Sequence, residues 1–121
     1  MKILIAEDDP VMLSVLKYQL KKENYSVSAN ADARDALLAL ESFKPDLIIT
    51  DILMPFTSGL EFIGIVRTSG SKTPILVVSA LDQESTVLEA LSLGADDFIT
   101  KPFMGTELST IVKRLLNLKK K

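Results

Sequence analysis

The sequence predicts an α/β domain that is doubly wound, a parallel β-sheet with helices on both faces. Two observations predict it. Short apolar runs alternate with longer amphipathic segments, and this strand–helix unit occurs five times. A helix between two strands returns the chain to start the next strand in the same direction, so the strands pair in parallel. The runs themselves, such as Ile3-Leu4-Ile5-Ala6 and Ile75-Leu76-Val77-Val78, are apolar at consecutive positions, as in strands buried on both sides. With 121 residues, 47% of them hydrophobic, the chain suffices for one domain with a proper core.

The elements follow in order. Lys2–Ala6 reads as a strand that ends in the acids Glu7, Asp8 and Asp9. Pro10–Glu23 carries Met12, Leu13, Leu16 and Leu20 at helical spacing, with Asp9 as N-cap and Pro10 in the first helical position. Tyr25–Ala29 alternates and reads as a short strand. Asp32–Phe43 puts Ala33, Ala36, Leu37 and Leu40 on one helical face, Pro45 breaks the chain, and Asp46–Thr50 is an apolar strand. After a loop at Met54–Thr57, Ser58-Gly59-Leu60-Glu61 has the capping-box pattern that opens a helix through Arg67. Ser69-Gly70-Ser71 is a turn and Ile75–Ser79 a buried strand. Gln83–Leu93 is a helix closed by Gly94, Asp97–Thr100 a brief strand, and Gly105–Leu118 a last helix with Leu108, Ile111, Val112 and Leu115 inward.

Composition removes several functions. There is no cysteine and no histidine, which excludes a disulfide framework, thiolate chemistry, a Ser-His-Asp triad and histidine-ligated zinc. No apolar run approaches a membrane span, and a reducing, cytoplasmic setting fits. The net charge of −2 conceals an asymmetry: residues 1–118 hold eleven basic and sixteen acidic residues, and the basic stub Lys119–Lys121 adds the rest. That stub, within 117–121, is expected to be a tail, a frayed helix end or the start of a linker. No long basic face is present, so direct nucleic-acid binding is not expected.

In parallel α/β sheets the functional crevice lies beyond the carboxyl ends of the strands. Strand one ends at Glu7, Asp8 and Asp9, strand three at Asp51, strand four at Ser79 and strand five at Lys101. Taken singly, these are an N-cap (Asp9), solvated loop acids, a turn former, a hydroxyl bonded to backbone and a surface lysine. Together they place carboxylates, a hydroxyl and an ammonium on one edge. Like charges 4 Å apart repel by roughly 4 kcal/mol at an effective dielectric near 20, and something must offset that cost. Carboxylates without histidine or cysteine suit a hard cation, Mg²⁺ or Mn²⁺, that keeps several waters and bridges to phosphate. Lysine and serine suit phosphoryl oxygens, and one carboxylate can act as a nucleophile that forms an aspartyl phosphate.

At these residues the whole chain resembles the receiver domain of two-component response regulators. The resemblance rests on the acidic pair Glu7-Asp8, the run Asp51-Ile52-Leu53-Met54-Pro55 with Gly59, the pair Ser79-Ala80, and Phe98 ahead of Lys101-Pro102-Phe103. It implies a flavodoxin-like sheet of strand order 2-1-3-4-5. It also implies that Asp51 accepts a phosphoryl group from a phosphohistidine on a sensor kinase or phosphotransfer protein. Asp8 then binds Mg²⁺ directly, Glu7 through water, and Leu53 through its backbone carbonyl. Lys101 contacts the phosphoryl group, Ser79 moves toward it, Phe98 turns inward, and the Lys101–Pro102 peptide is cis. The face of helix four, strand five and helix five reads out the change to an output domain, a homodimer or another partner.

"GADDFITKPF" most resembles receivers attached to winged-helix domains, which pair through charged groups on that face. Here Val87 and Ile111 stand where those carry arginines and Ser92 where they carry an acid, while Asp96, Asp97, Glu107 and Lys113 remain. Three alternatives stay open at this point. A true Mg²⁺-dependent phosphatase through Asp51 lacks a general acid at Leu53. A flavodoxin-like cofactor binder would meet acids where its phosphate loop should be. A pseudo-receiver would act only as an interaction module.

Overall fold

The structure is a computed structural model and describes residues 1–120. Five strands and five helices alternate: β1 (Lys2–Ala6), α1 (Pro10–Lys22), β2 (Ser26–Asn30), α2 (Ala33–Phe43), β3 (Leu47–Thr50), α3 (Gly59–Thr68), β4 (Ile75–Ser79), α4 (Glu84–Leu93), β5 (Asp97–Thr100) and α5 (Gly105–Lys120). All strand pairs are parallel, in the order β2-β1-β3-β4-β5. The predicted architecture and order are those found. Of the basic stub, Lys121 lies outside the described residues.

Side chains alternate across a strand, and here both sides are covered. Ile3, Ile5, Leu47, Ile49, Leu76, Val78 and Ile99 pack with Leu16 and Leu20 of α1 and Leu108, Val112, Leu115 and Leu116 of α5. Their neighbours Leu4, Ala6, Ile48, Ile75 and Val77 pack on the other side with α2, α3 and α4. Each fully buried leucine or isoleucine contributes about 1.5–3 kcal/mol. Ile111, predicted inward, is only half-buried against the α1/α5 layer.

Helix starts are set by side chains. The Asp9 carboxylate accepts the Val11 N–H at 3.0 Å, the Asp32 carboxylate the Asp35 N–H at 2.8 Å, and the Ser58 hydroxyl the Glu61 N–H at 3.2 Å. Strand β2 is displaced by one residue from its predicted span. The Tyr25 N–H closes the end of α1 on the Leu20 carbonyl, so the ladder starts with the Ser26 N–H on the Met1 carbonyl. Asp46 likewise precedes β3, its carboxylate accepting the Lys2 N–H at 2.8 Å.

The chain leaves β1 for α1 on one face and β3 for α3 on the other. The divergence opens a crevice at the carboxyl ends of β1 and β3. Gly59, the first residue of α3, makes this close approach possible: a Cβ there would stand 1.9 Å from the Asp51 carbonyl oxygen. Gly64, also in α3, has open space around it.

These two glycines predict opposite results. Gly64→Ala should stabilise the protein by about 0.5–1 kcal/mol, because glycine in a helix costs that much relative to alanine. Gly59→Ala should destabilise it by about 1–3 kcal/mol through overpacking against the strand end. Urea denaturation of the two variants beside wild type measures both.

Candidate functional site

Four strand ends deliver the predicted residues to one place. Glu7 follows β1, and its N–H is fixed on the Asn30 carbonyl of neighbouring β2 at 3.0 Å. Asp51 follows β3, its N–H on the Ala6 carbonyl at 3.1 Å. Lys101 follows β5 and donates its N–H to the Ser79 carbonyl at the end of β4, at 2.9 Å. The Lys101–Pro102 peptide is cis.

The side chains then meet. The Lys101 ammonium donates to Glu7 Oε1 at 2.6 Å and to Asp51 Oδ2 at 2.8 Å. Glu7 is 1% exposed and Asp51 7%, so one ammonium spans two buried carboxylates. Glu7 Oε2 accepts the Asp9 N–H at 3.2 Å, and Asp51 Oδ1 accepts the Ile52 N–H at 2.6 Å. Asp8 is exposed, yet one oxygen from each of Glu7, Asp8 and Asp51 lies within 4.8 Å of the others. This all-oxygen set suits a hard, hydrated dication such as Mg²⁺ or Mn²⁺ and offers nothing to a soft one.

Burial and pairing set the protonation. Burial raises the Glu7 carboxyl above the ordinary glutamate range, against the opposing pull of Lys101 and the Asp9 N–H. Burial pushes Asp51 the same way, but its bond to Lys101, the Ser79 hydroxyl and the Ile52 N–H together hold it below the usual aspartate value. For Lys101, burial favours the neutral amine, and the two carboxylates outweigh it and raise its pKa.

Ser79 is fully buried. Its Oγ accepts the Leu81 N–H at 3.2 Å, and its proton serves Asp51. Phe98 is half-buried within the α2–α4 layer, on the side that strand parity also gives Ser79. Leu53 is 58% exposed beside the pocket. Two supports went unread in the sequence. The buried Thr50 hydroxyl donates to the Asp51 carbonyl at 2.8 Å, and the Asn30 side-chain amide donates to the Ile5 carbonyl at 3.2 Å. The only sequence signal for either was a polar residue closing a strand.

The charged groups expected on the α4–β5–α5 face are partly engaged within the chain. Asp96 pairs with Arg67 at 3.0 Å, and Asp97 pairs with Arg114. Val87 is half-buried on α4. A cavity of about 720 Å³ between α2 and α3 is at the opposite sheet edge, with Leu37, Leu40, Ile65 and Val66 among its lining. It contains none of the clustered residues.

Residues 3–113 match the response regulator receiver domain family. The chain is 37% identical over 115 residues to the alkaline phosphatase synthesis transcriptional regulatory protein PhoP of Bacillus subtilis, covering 95% of this chain and 48% of that protein. It is 38% identical to the transcriptional regulatory protein PcoR of Escherichia coli, covering 95% and 51%. Among solved structures, the Francisella response regulator 1452 receiver domain superposes with a TM-score of 0.91 at 31% identity, covering 96% of each chain. The Vibrio cholerae chemotaxis protein CheY4 gives 0.90 at 29%, covering 94% and 97%. The chain belongs to the receiver domain family of two-component response regulators, which are signalling proteins, and it spans about half the length of the curated relatives it matches. Among the described residues no helix is long and apolar enough to cross a membrane.

Removing the bridge has a signed consequence. Lys101→Met leaves two buried carboxylates facing each other, a loss of about 3–5 kcal/mol at neutral pH. Without the ammonium, burial and the mutual repulsion of the two carboxylates outweigh the remaining N–H and hydroxyl donors, and both acids titrate above their unfolded values in the variant. Its stability should therefore be greatest at pH 4 and fall as the pH rises toward 7. In wild type the raised Glu7 and the lowered Asp51 oppose each other over the acid range, while the raised Lys101 adds stability that is lost only above the ordinary lysine pKa. Melting temperatures of both proteins between pH 4 and 7 measure the difference.

Proposed function

We propose that this domain is a phosphorylatable switch whose acceptor is Asp51. The observation that carries the reading is the Lys101 ammonium spanning Glu7 and Asp51, with the Asp8 carboxylate beside them. Asp51 Oδ1 is occupied by the Ile52 N–H, whereas Oδ2 has the Lys101 ammonium, a side-chain donor shared with Glu7, as its partner. Oδ2 is thus the oxygen placed to attack phosphorus. In the transfer, an Asp51 oxygen–phosphorus bond forms as the phosphorus–nitrogen bond of a phosphohistidine breaks, and the imidazole leaves as its protonated or neutral form according to pH. Lys101 shifts from carboxylate to phosphoryl oxygen, keeping its charge where negative charge accumulates. The Ser79 hydroxyl donates to another phosphoryl oxygen.

Asp8, Asp51, the Leu53 carbonyl and, through water, Glu7 would hold Mg²⁺ or Mn²⁺, which supplies charge neutralisation for the carboxylates and the arriving phosphate. The acyl phosphate adds about −1.5 to −2 charge. Ser79 and Lys101 can follow it only by moving their loops, which biases α4, β5 and α5, with Phe98 turning inward. The donor is a sensor histidine kinase or a phosphotransfer protein, and the receiver of the signal is an output domain or a second copy. The exposed apolar Leu53, two residues after Asp51, offers no general acid, which disfavours a turnover phosphatase.

Acetyl phosphate with Mg²⁺ should add one phosphoryl group to wild type by intact mass and none to Asp51→Asn. No adduct on wild type would sink the reading. Mg²⁺ alone at a hundredfold excess over its dissociation constant should stabilise wild type by about 2.7 kcal/mol. The same titration should leave the melting temperature of Asp8→Asn nearly unchanged.

A further inference from the structure

The loop between β3 and α3 is closed at its base and strained at its tip. The Gly59 N–H donates to the Ile52 carbonyl at 2.8 Å. At the tip, the Thr57 N–H donates to the Pro55 carbonyl at 2.8 Å across Phe56, whose φ is +71°. A hydrogen bond spanning one residue of positive φ marks the rare, strained form of γ-turn. Glycine tolerates this backbone, and a bulky aromatic residue does not. No burial compensates, because Phe56 is 84% exposed, the most exposed of the large apolar residues found. The ring is instead steadied from outside by the Arg34 guanidinium of α2, 5.4 Å from its centroid. Strain of this kind persists at sites where it serves function.

Its position says which function. Phe56 is five residues beyond Asp51 on the loop that rims the acid pocket. Val11, Leu53 and Met104, exposed at 71%, 58% and 71%, sit on loops or first turns at the same sheet edge. An acidic pocket rimmed by exposed apolar groups suits a donor that brings a surface with its phosphoryl group, since a small phosphate donor gains nothing from the rim. We infer that Phe56 is a specificity-determining residue for phosphotransfer, held out by its strained turn to seat against the phosphohistidine-bearing domain of a kinase. The inference rests on Asp51 being the acceptor.

The test compares wild type with Phe56→Gly and Phe56→Tyr. Phe56→Gly should melt about 3 °C higher or more, as backbone strain is relieved. Its labelling by acetyl phosphate should stay within about twofold, while transfer from a panel of autophosphorylated histidine-kinase cores slows about tenfold or more. Phe56→Tyr, which keeps the ring, should transfer at a near-wild-type rate. Equal slowing with both donors overturns the inference, since Phe56 would then act on the pocket itself. So does unchanged kinase transfer, a lower melting temperature for Phe56→Gly, or a wild type that acetyl phosphate labels and no kinase in the panel does. If acetyl phosphate fails to label wild type, the acceptor reading falls and this inference with it.

Discussion

The site is organised around one electrostatic constraint: two buried carboxylates share a single ammonium. Glu7 and Asp51 come from strands adjacent in the sheet, so their ends cannot be far apart. Lys101 arrives from β5, two strands beyond Asp51, and reaches both. Unpaired, each carboxylate would cost several kcal/mol in such a setting, of order 3 or more. The surrounding polar groups are accordingly committed. Asn30 ties the end of β1, Thr50 ties the Asp51 carbonyl, and backbone N–H groups occupy one oxygen of each acid. Among the described residues no buried side-chain polar atom lacks a partner. The remaining uncommitted acid, Asp8, is the exposed one, and that is where a hydrated cation can enter.

Much of this was legible in the chain. The strand–helix alternation carried the sheet, and consecutive apolar residues carried its two-sided burial. The acids and the lysine at strand ends are the residues that the fold brings together. What escaped has a physical reason in each case. The one-residue shift of β2 depends on where the Tyr25 N–H finds its acceptor, which is a tertiary matter. Lys101 was read as a phosphate ligand; its pairing with Glu7 spans 94 residues of sequence. Gly59 looked like a motif letter, and its role emerges only from the 1.9 Å that a Cβ would leave to the Asp51 carbonyl. Phe56 looked like loop filler, because a positive φ at a phenylalanine contradicts local preference and so cannot be inferred from it.

The unequal attachment of α4 bears on how a change at the site travels. Its C-terminal end is held firmly. Arg67 donates to the Gly94 carbonyl at 3.1 and 2.8 Å, to the Thr73 carbonyl at 2.7 Å and to the Asp96 carboxylate at 3.0 Å. That one guanidinium ties α3, the approach to β4 and the approach to β5 to the end of α4. The N-terminal end has no such hold: Gln83 caps it without a side-chain hydrogen bond, and Ala90 is the helix's one buried residue. This loosely held end follows β4 and Ser79. A helix fixed at one end and free at the other costs least to move by turning about the fixed end. The Ser79 loop therefore adjoins the less firmly held end of α4, while Arg67 ties the other end to α3 and to the approaches of β4 and β5.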